Sequence, residues 1–270
     1  MSLDEKKEYN YTIKVIDKKL EEDLIRNSKH IRKLILILIF VLLVVFKAHI
    51  MYWLKFGFAF YSKVDNTPIS VMEEPVQDVY TNEESAKKIF WYRTLISGNN
   101  ITIKPVAYYK IAGLIVSASG IFSSETELSD GAALYDVAIS WGKLGNKNFY
   151  TKYFECTKLK DEQTGGNVLL TTAKVKTLPV TPEYAMSHWS NIHIVPANNN
   201  IMGALIRIKT WDKIILEGML VDMEYVDAQG HRYSYYTNTV RDENDVDDDR
   251  NGNYLIMFVT RVRLGDKVYK

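Results

Sequence analysis

Thirteen consecutive residues, Leu34 to Phe46, read LILILIFVLLVVF and carry no polar side chain. No other stretch limits the fold so much. A helix that is apolar on every side must be buried in a large core or in lipid. These thirteen residues would span only ~20 Å at ~1.5 Å per residue, whereas a hydrocarbon core is ~30 Å thick. Extension to Leu54 reaches the required length but takes in Lys47 and His49. Both lie toward the far end, where long side chains can reach the interface. Tyr52 and Trp53 then fall where an aromatic belt belongs. More than thirty residues precede the run and no A-x-A-like site follows it. The expectation is therefore an uncleaved signal anchor, one transmembrane helix over residues 34–54. Arg26, Lys29, Arg32 and Lys33 precede it with no acid among them. The positive-inside bias then sets the N-terminus in the cytoplasm and the bulk of the chain outside it, in the periplasm of a cell that has one.

The rest of the chain divides around that anchor. Residues 1–33 form a short arm, in which Ile13, Ile16, Leu20 and Leu24 recur at helical spacing and Glu22 pairs with Arg26 at i,i+4. Residues 55–80 read as a juxtamembrane segment and linker, with two prolines and no period over 64–80. Residues 81–97 predict a helix with Thr81 or Asn82 as its N-cap. Beyond it the pattern turns to strands over 101–122, 133–144, 148–158 and 168–180, with Pro105 marking an edge or a break. A short helix capped within Asn198–Asn200 follows, with Ile201, Ala204, Leu205 and Ile208 on one face. Two β-rich runs around DAQG predict a hairpin, and NYLIMFVTRVRL a last strand. The expected fold class is a single transmembrane helix plus a β-rich (α+β) extracytoplasmic domain over 81–270. The element order fits a small, partly open, OB-like barrel.

Composition narrows the function. A formal net charge of +1 provides no global field for nucleic acid, which is not an expected partner. Cys156 is the only cysteine, so no internal disulfide forms. P-loop, dinucleotide-binding, C-x-x-C and H-E-x-x-H motifs are all absent from the sequence.

Three stretches hold candidate chemistry. The first is SHWSNIHIVPANNNI, residues 187–201, with His188, Ser190, Asn191 and His193. On a continuous strand, alternation sets His188 with Ser190 on one face and Asn191 with His193 on the other. A Ser–His nucleophile pair and a His–Asn acid–base pair are then the catalytic readings. Side chains bonded to backbone at a strand end are the structural one. The second stretch is DVDDDRNGN, where Asp247, Asp249, Asn251 and Gly252 match the first half of an EF-hand loop and supply hard oxygen ligands for calcium. Position twelve of that loop is Phe258 rather than Glu, so calcium would sit in a simpler inter-strand loop. The third is the Tyr-rich hairpin, with Tyr233, Tyr235 and Arg241 as ligand-binding candidates.

AISWGKL, HWSNIHIVPA, DKIILEGMLVD and NGNYLIMFVTRV resemble an uncharacterised group of bacterial membrane-anchored proteins over residues 135–262. His188, Asn191, His193, Pro196 and Ala197 match that group's His-x-x-Asn-x-His-x-x-Pro-Ala element, while Trp189 and Ser190 depart from its usual fillers. The resemblance implies a shared fold and no particular activity.

The sequence reading is thus a single-pass envelope protein. Its outer domain serves as an interaction or assembly module of a secretion-type or other envelope machine. Its expected partners are the bilayer, other envelope proteins and copies of itself. The alternatives are an envelope hydrolase using His188 or His193, and a calcium-stabilised binding domain.

Overall fold

The computed structural model describes residues 27–42, 54, 56–95, 100–119, 135–160, 167–226, 230–239 and 254–270. The chain divides into two units, Met1–Leu54 and Lys55–Lys270.

In the first unit, residues 27–42 are helical and the side chains from Leu34 to Leu42 are exposed. Among the described residues no helix is long and apolar enough to cross a membrane, which corrects the expected transmembrane helix. The described helical stretch runs to Leu42, and residues 43–53 of the expected span lie outside the described residues. Its first turns also carry Lys29, His30, Arg32 and Lys33. The arm residues Ile13 to Leu24 and the flanking Lys47, His49, Tyr52 and Trp53 lie outside the described residues.

The second unit is mostly β. Its strands are β1 (Ser62–Lys63), β2 (Val76–Val79), β3 (Phe90–Arg93), β4 (Asn100–Ser119), β5 (Tyr135–Ser140) and β6 (Phe154–Lys160). They continue with β7 (Asn167–Ala173), β8 (Trp189–Pro196), β9 (Lys213–Val226), β10 (Arg232–Tyr235), β11 (Tyr254–Leu264) and β12 (Lys267–Tyr269). Its helices are α1 (Asn82–Lys87), α2 (Lys147–Tyr153), α3 (Pro182–Ser187) and α4 (Asn199–Leu205).

Ten strands form one mixed sheet, and β6 and β7 form a separate hairpin. Five strands of the large sheet close on themselves. β4 pairs with β5, β5 with β8, β11 with β9 and β9 with β4, all antiparallel, while β8 and β11 run parallel. A closed ring inside a ten-stranded sheet replaces the expected small, partly open barrel. The length of β4 is the reason. One of its edges follows β9 from Ile101 to Leu114, and the other takes β3, β2 and β5 in turn. The sheet therefore runs past the ring as a flap of β3, β4, β9 and β10. Pro105 does not end β4. The register with β9 slips between Pro105 and Ala107, where the missing N–H needs no partner.

All five ring strands turn apolar side chains inward: Ile111 from β4, Val137 from β5, Ile192 from β8, Leu216 from β9 and Met257 from β11. α4 joins the same core through Ile201, Ala204 and Leu205. Its N-cap is Asn198, whose Oδ1 accepts from the Ile201 N–H at 3.0 Å. Two further clusters sit against the opposite faces of the ring strands. One gathers Ile101, Ile103, Val221, Ile256 and Phe258. The other gathers Leu114, Val116, Ala138, Tyr150, Phe154 and Ala185.

The 81–97 helix is shorter than its pattern predicts. Thr81 caps α1 with a full capping box, but the helix stops at Lys87 and Phe90–Arg93 pairs with β4 as a strand. Phe90 and Tyr92 each meet the Phe258 ring edge-on. Aromatic packing against a partner strand outweighs helix propensity there. Residues 56–80 are likewise part of the domain, since they supply β1 and β2 and bury Phe56, Ile69 and Val71.

Candidate functional site

The HWSNIH stretch divides at His188. That residue is the C-cap of α3, and β8 begins only at Trp189. Strand alternation therefore starts one residue too late to set His188 beside Ser190. Ser190 opposes Ile139 across β5 and lies on the main-core face, 3% exposed. Its hydroxyl and the His188 ring are held in different surroundings, and the Ser–His nucleophile geometry does not form.

His188 sits in a cluster of its own. Its ring stacks on Tyr184 at 3.6 Å between centroids and 17° between planes. Nδ1 lies 2.8 Å from the Tyr184 carbonyl oxygen and 2.9 Å from Ser187 Oγ. Nε2 lies 2.9 Å from Glu74 Oε1. The other oxygen of Glu74 accepts from Trp141 Nε1 at 3.0 Å. Glu74 thus bridges two residues of the ring domain from the 64–80 segment. Nearby, the Gly142 N–H donates to the Val71 carbonyl at 2.7 Å and tightens the same attachment. Nδ1 ties the ring back onto α3, and Nε2 holds the 64–80 segment in place.

His193 and Asn191 do share a face, as alternation requires, and it is the face turned away from the main core. Asp136 stands directly opposite His193 on β5. His193 Nδ1 lies 2.6 Å from Asp136 Oδ1, and Asn191 Nδ2 lies 3.3 Å from His193 Nε2. Asp136, Asn191 and His193 are 6%, 4% and 7% exposed, so this Asp–His–Asn row is closed to bulk water. A proton on Nδ1 facing the carboxylate leaves Nε2 to accept from the Asn191 amide. The Asn191 Oδ1 is buried with no hydrogen-bond partner. On β11 the flanking residue is Ile256. Within this row the Asp136 carboxylate and the Asn191 amide orient the buried His193 imidazole.

The ligand-binding candidates fare differently. Tyr233 stacks on Tyr225 at 5.8 Å, and Tyr225 and Tyr235 pack against the Ile101–Phe258 cluster. These rings serve as sheet packing. Arg241 lies outside the described residues, as do the calcium candidates Asp247, Asp249 and Asn251. Among the described residues no group of three His, Cys, Asp or Glu is placed to hold a metal ion.

Sequence reasoning did not pick out Asp136, Trp141, Glu74 or Tyr184. Asp136 had a readable signal: it is the one charge inside the apolar run LYDVAI. An isolated carboxylate in a buried strand needs a partner. Glu74 had none, because its partners are 67 and more residues away in sequence.

These observations define the class of the folded unit: a closed five-stranded β ring with a buried Asp–His–Asn row on its outer wall. A comparison with protein-family models finds no match, and neither does one with curated proteins.

Proposed function

We propose that the protein is an interaction and assembly module of a membrane-associated complex at the cell envelope, of secretion type or another envelope machine. The observation that carries this reading is the use made of its histidines. His188 binds Tyr184 and Glu74, and His193 binds Asp136 and Asn191, so both rings work as structural ties. The first unit adds a second support. Its helical residues 34–42 present apolar side chains to solvent, and surface of that kind marks lipid or a partner as its cover. The partners in this reading are the bilayer, other envelope proteins and a second copy of the chain.

The test is cross-linking of the full chain in its native cells, then purification, with wild type beside His193→Gln. Glutamine can still donate to Asp136 and accept from Asn191. A defined set of proteins recovered equally with both chains supports the module. A folded His193→Gln chain that keeps its partners but loses its cellular function would transfer the reading to chemistry at His193.

A further inference from the structure

The surface around α2 concentrates lysine. Lys147 and Lys152 lie on α2, Lys143 in the 3-10 turn Gly142–Gly145 before it, and Lys174 just beyond β7. Lys209 and Lys213 flank Trp211 in the turn that leads into β9. All six are exposed, and none makes an ion pair. Contacts tie four of them to the rings and backbone around α2, and Lys209 and Lys213 join them as the near neighbours of Trp211 in sequence. Lys147 Nζ lies 5.4 Å from the Trp211 ring, which meets the Tyr150 ring of α2 at 6.0 Å. Lys174 Nζ donates to the Thr151 carbonyl at 3.0 Å, and Lys152 Nζ lies 4.9 Å from the Tyr153 ring. Lys143 Nζ lies 5.7 Å from the Tyr184 ring.

Among the described residues four carboxylates share the region, one of them Glu74, which lies against the His188 ring stacked on Tyr184. Asp212 is half-buried and accepts from the Lys209 N–H, while Glu155 and Glu183 are exposed. Six lysines against four acids among the described residues leave a positive excess on a chain whose formal net charge is only +1. The aromatic rings among them are half-buried: Phe149, Tyr153, Tyr184 and Trp211. Trp211 has φ of 79°, an uncommon conformation for a bulky residue. Two backbone bonds hold it there, Trp211 N–H to Ile115 O at 2.7 Å and Ile115 N–H to Asp212 O at 2.8 Å. The turn is thus fixed in the pose that sets its ring under Lys147.

We propose that this lysine-rimmed aromatic surface docks onto anionic phospholipid headgroups. The six cations are all lysine, compact point charges suited to a diffuse anionic plane. Nucleic-acid readout instead favours the planar fork of arginine, which this surface lacks. Half-buried aromatic rings between the lysines match the depth of the headgroup layer. The proposal rests on the membrane-associated part of the reading above and names the lipid chemistry; its failure would leave the cross-linked partners untouched.

The experiment uses the full chain with phosphatidylcholine vesicles and with the same vesicles containing phosphatidylglycerol. Exposed amines are acetylated briefly and Lys143, Lys147, Lys152, Lys174, Lys209 and Lys213 are read by mass spectrometry. The expected result is labelling reduced more than about tenfold by the anionic vesicles alone. Protection is lost as salt rises from about 0.1 to about 1 M and the Debye length shrinks from about 10 to about 3 Å. A chain with Lys147→Glu, Lys152→Glu and Lys174→Glu, checked for native circular dichroism, should lose protection at the remaining three sites. A control with Lys63→Glu and Lys87→Glu should keep it. Equal labelling in both vesicles overturns the proposal. So does protection by a single-stranded oligonucleotide with none from anionic vesicles.

Discussion

Gly142 has φ of +57°, and a Cβ built on it would lie 2.5 Å from His188 Cδ2 and 2.5 Å from the Tyr184 hydroxyl. Only glycine suits both the conformation and the space. Gly142→Ala should cost about 1–3 kcal/mol through backbone strain and displacement of the stacked His188. A thermal melt within a degree of wild type would count against this account of the Glu74 attachment. Cys156 offers a second test at the same scale. Burial pushes its thiol up from the ordinary 9.0 to about 11, against a weaker downward pull from a hydrogen bond with Ser117. The fold favours the protonated form, so this group's contribution to stability is complete below pH 9 and is lost as pH rises through about 11. At pH 8 the native thiol should alkylate roughly a hundredfold more slowly than the unfolded one, since only thiolate reacts. Comparable rates in buffer and in denaturant would sink the point. Of the residues in these clusters, His188, Asn191 and His193 could be singled out from sequence because their types are chemically conspicuous. Their roles could not. The one-residue delay between the end of α3 and the start of β8 decides that His188 and Ser190 never meet.

Among elements, α4 was legible except for its end: it stops at Leu205, so Ile208, expected on its apolar face, reaches the core from the turn beyond it. Its N-cap and its apolar face both follow from helical spacing, and Ile201, Ala204 and Leu205 are completely buried. Asn198→Ala removes the acceptor for the Ile201 N–H and should cost about 1 kcal/mol, measurable by urea unfolding. A change below a few tenths would mean that the cap is replaced by solvent. β3 was not legible as a strand. FWYR stands in a helical pattern, and only the neighbouring β4 edge and the Phe258 ring convert it. The helical residues 27–42 show the opposite limit. Apolar composition was plain there, yet among the described residues no helix is long and apolar enough to cross a membrane.

For the molecule as a whole, ring closure is the central structural event, and Gly218 sits at the seam. It pairs with Val259 where the register between β9 and β11 slips before Arg261. A Cβ at Gly218 would collide with the Phe258 carbonyl. Gly218→Ala should therefore strain the β9–β11 pairing and lower stability by roughly 1–3 kcal/mol. Hydrogen exchange should show faster opening of Leu216 and Met257 on both sides of the seam. Unchanged exchange at these amides would mean that the seam does not limit opening. Pairings of this kind join residues 37 to 50 positions apart, from Met257↔Leu220 to Leu264↔Ile214, so no local pattern announces them.

By itself, the sequence determined the β-rich character of the larger unit, the α4 cap and face, and the shared face of Asn191 and His193. Each depends on periodicity or on a side chain acting a few residues away. Tertiary structure alone decided that five strands close into a ring, that Asp136 faces His193, and that Glu74 reaches His188 and Trp141. Those outcomes depend on register and chain reversal over long sequence separations, where the free energy belongs to the assembled core rather than to any one segment.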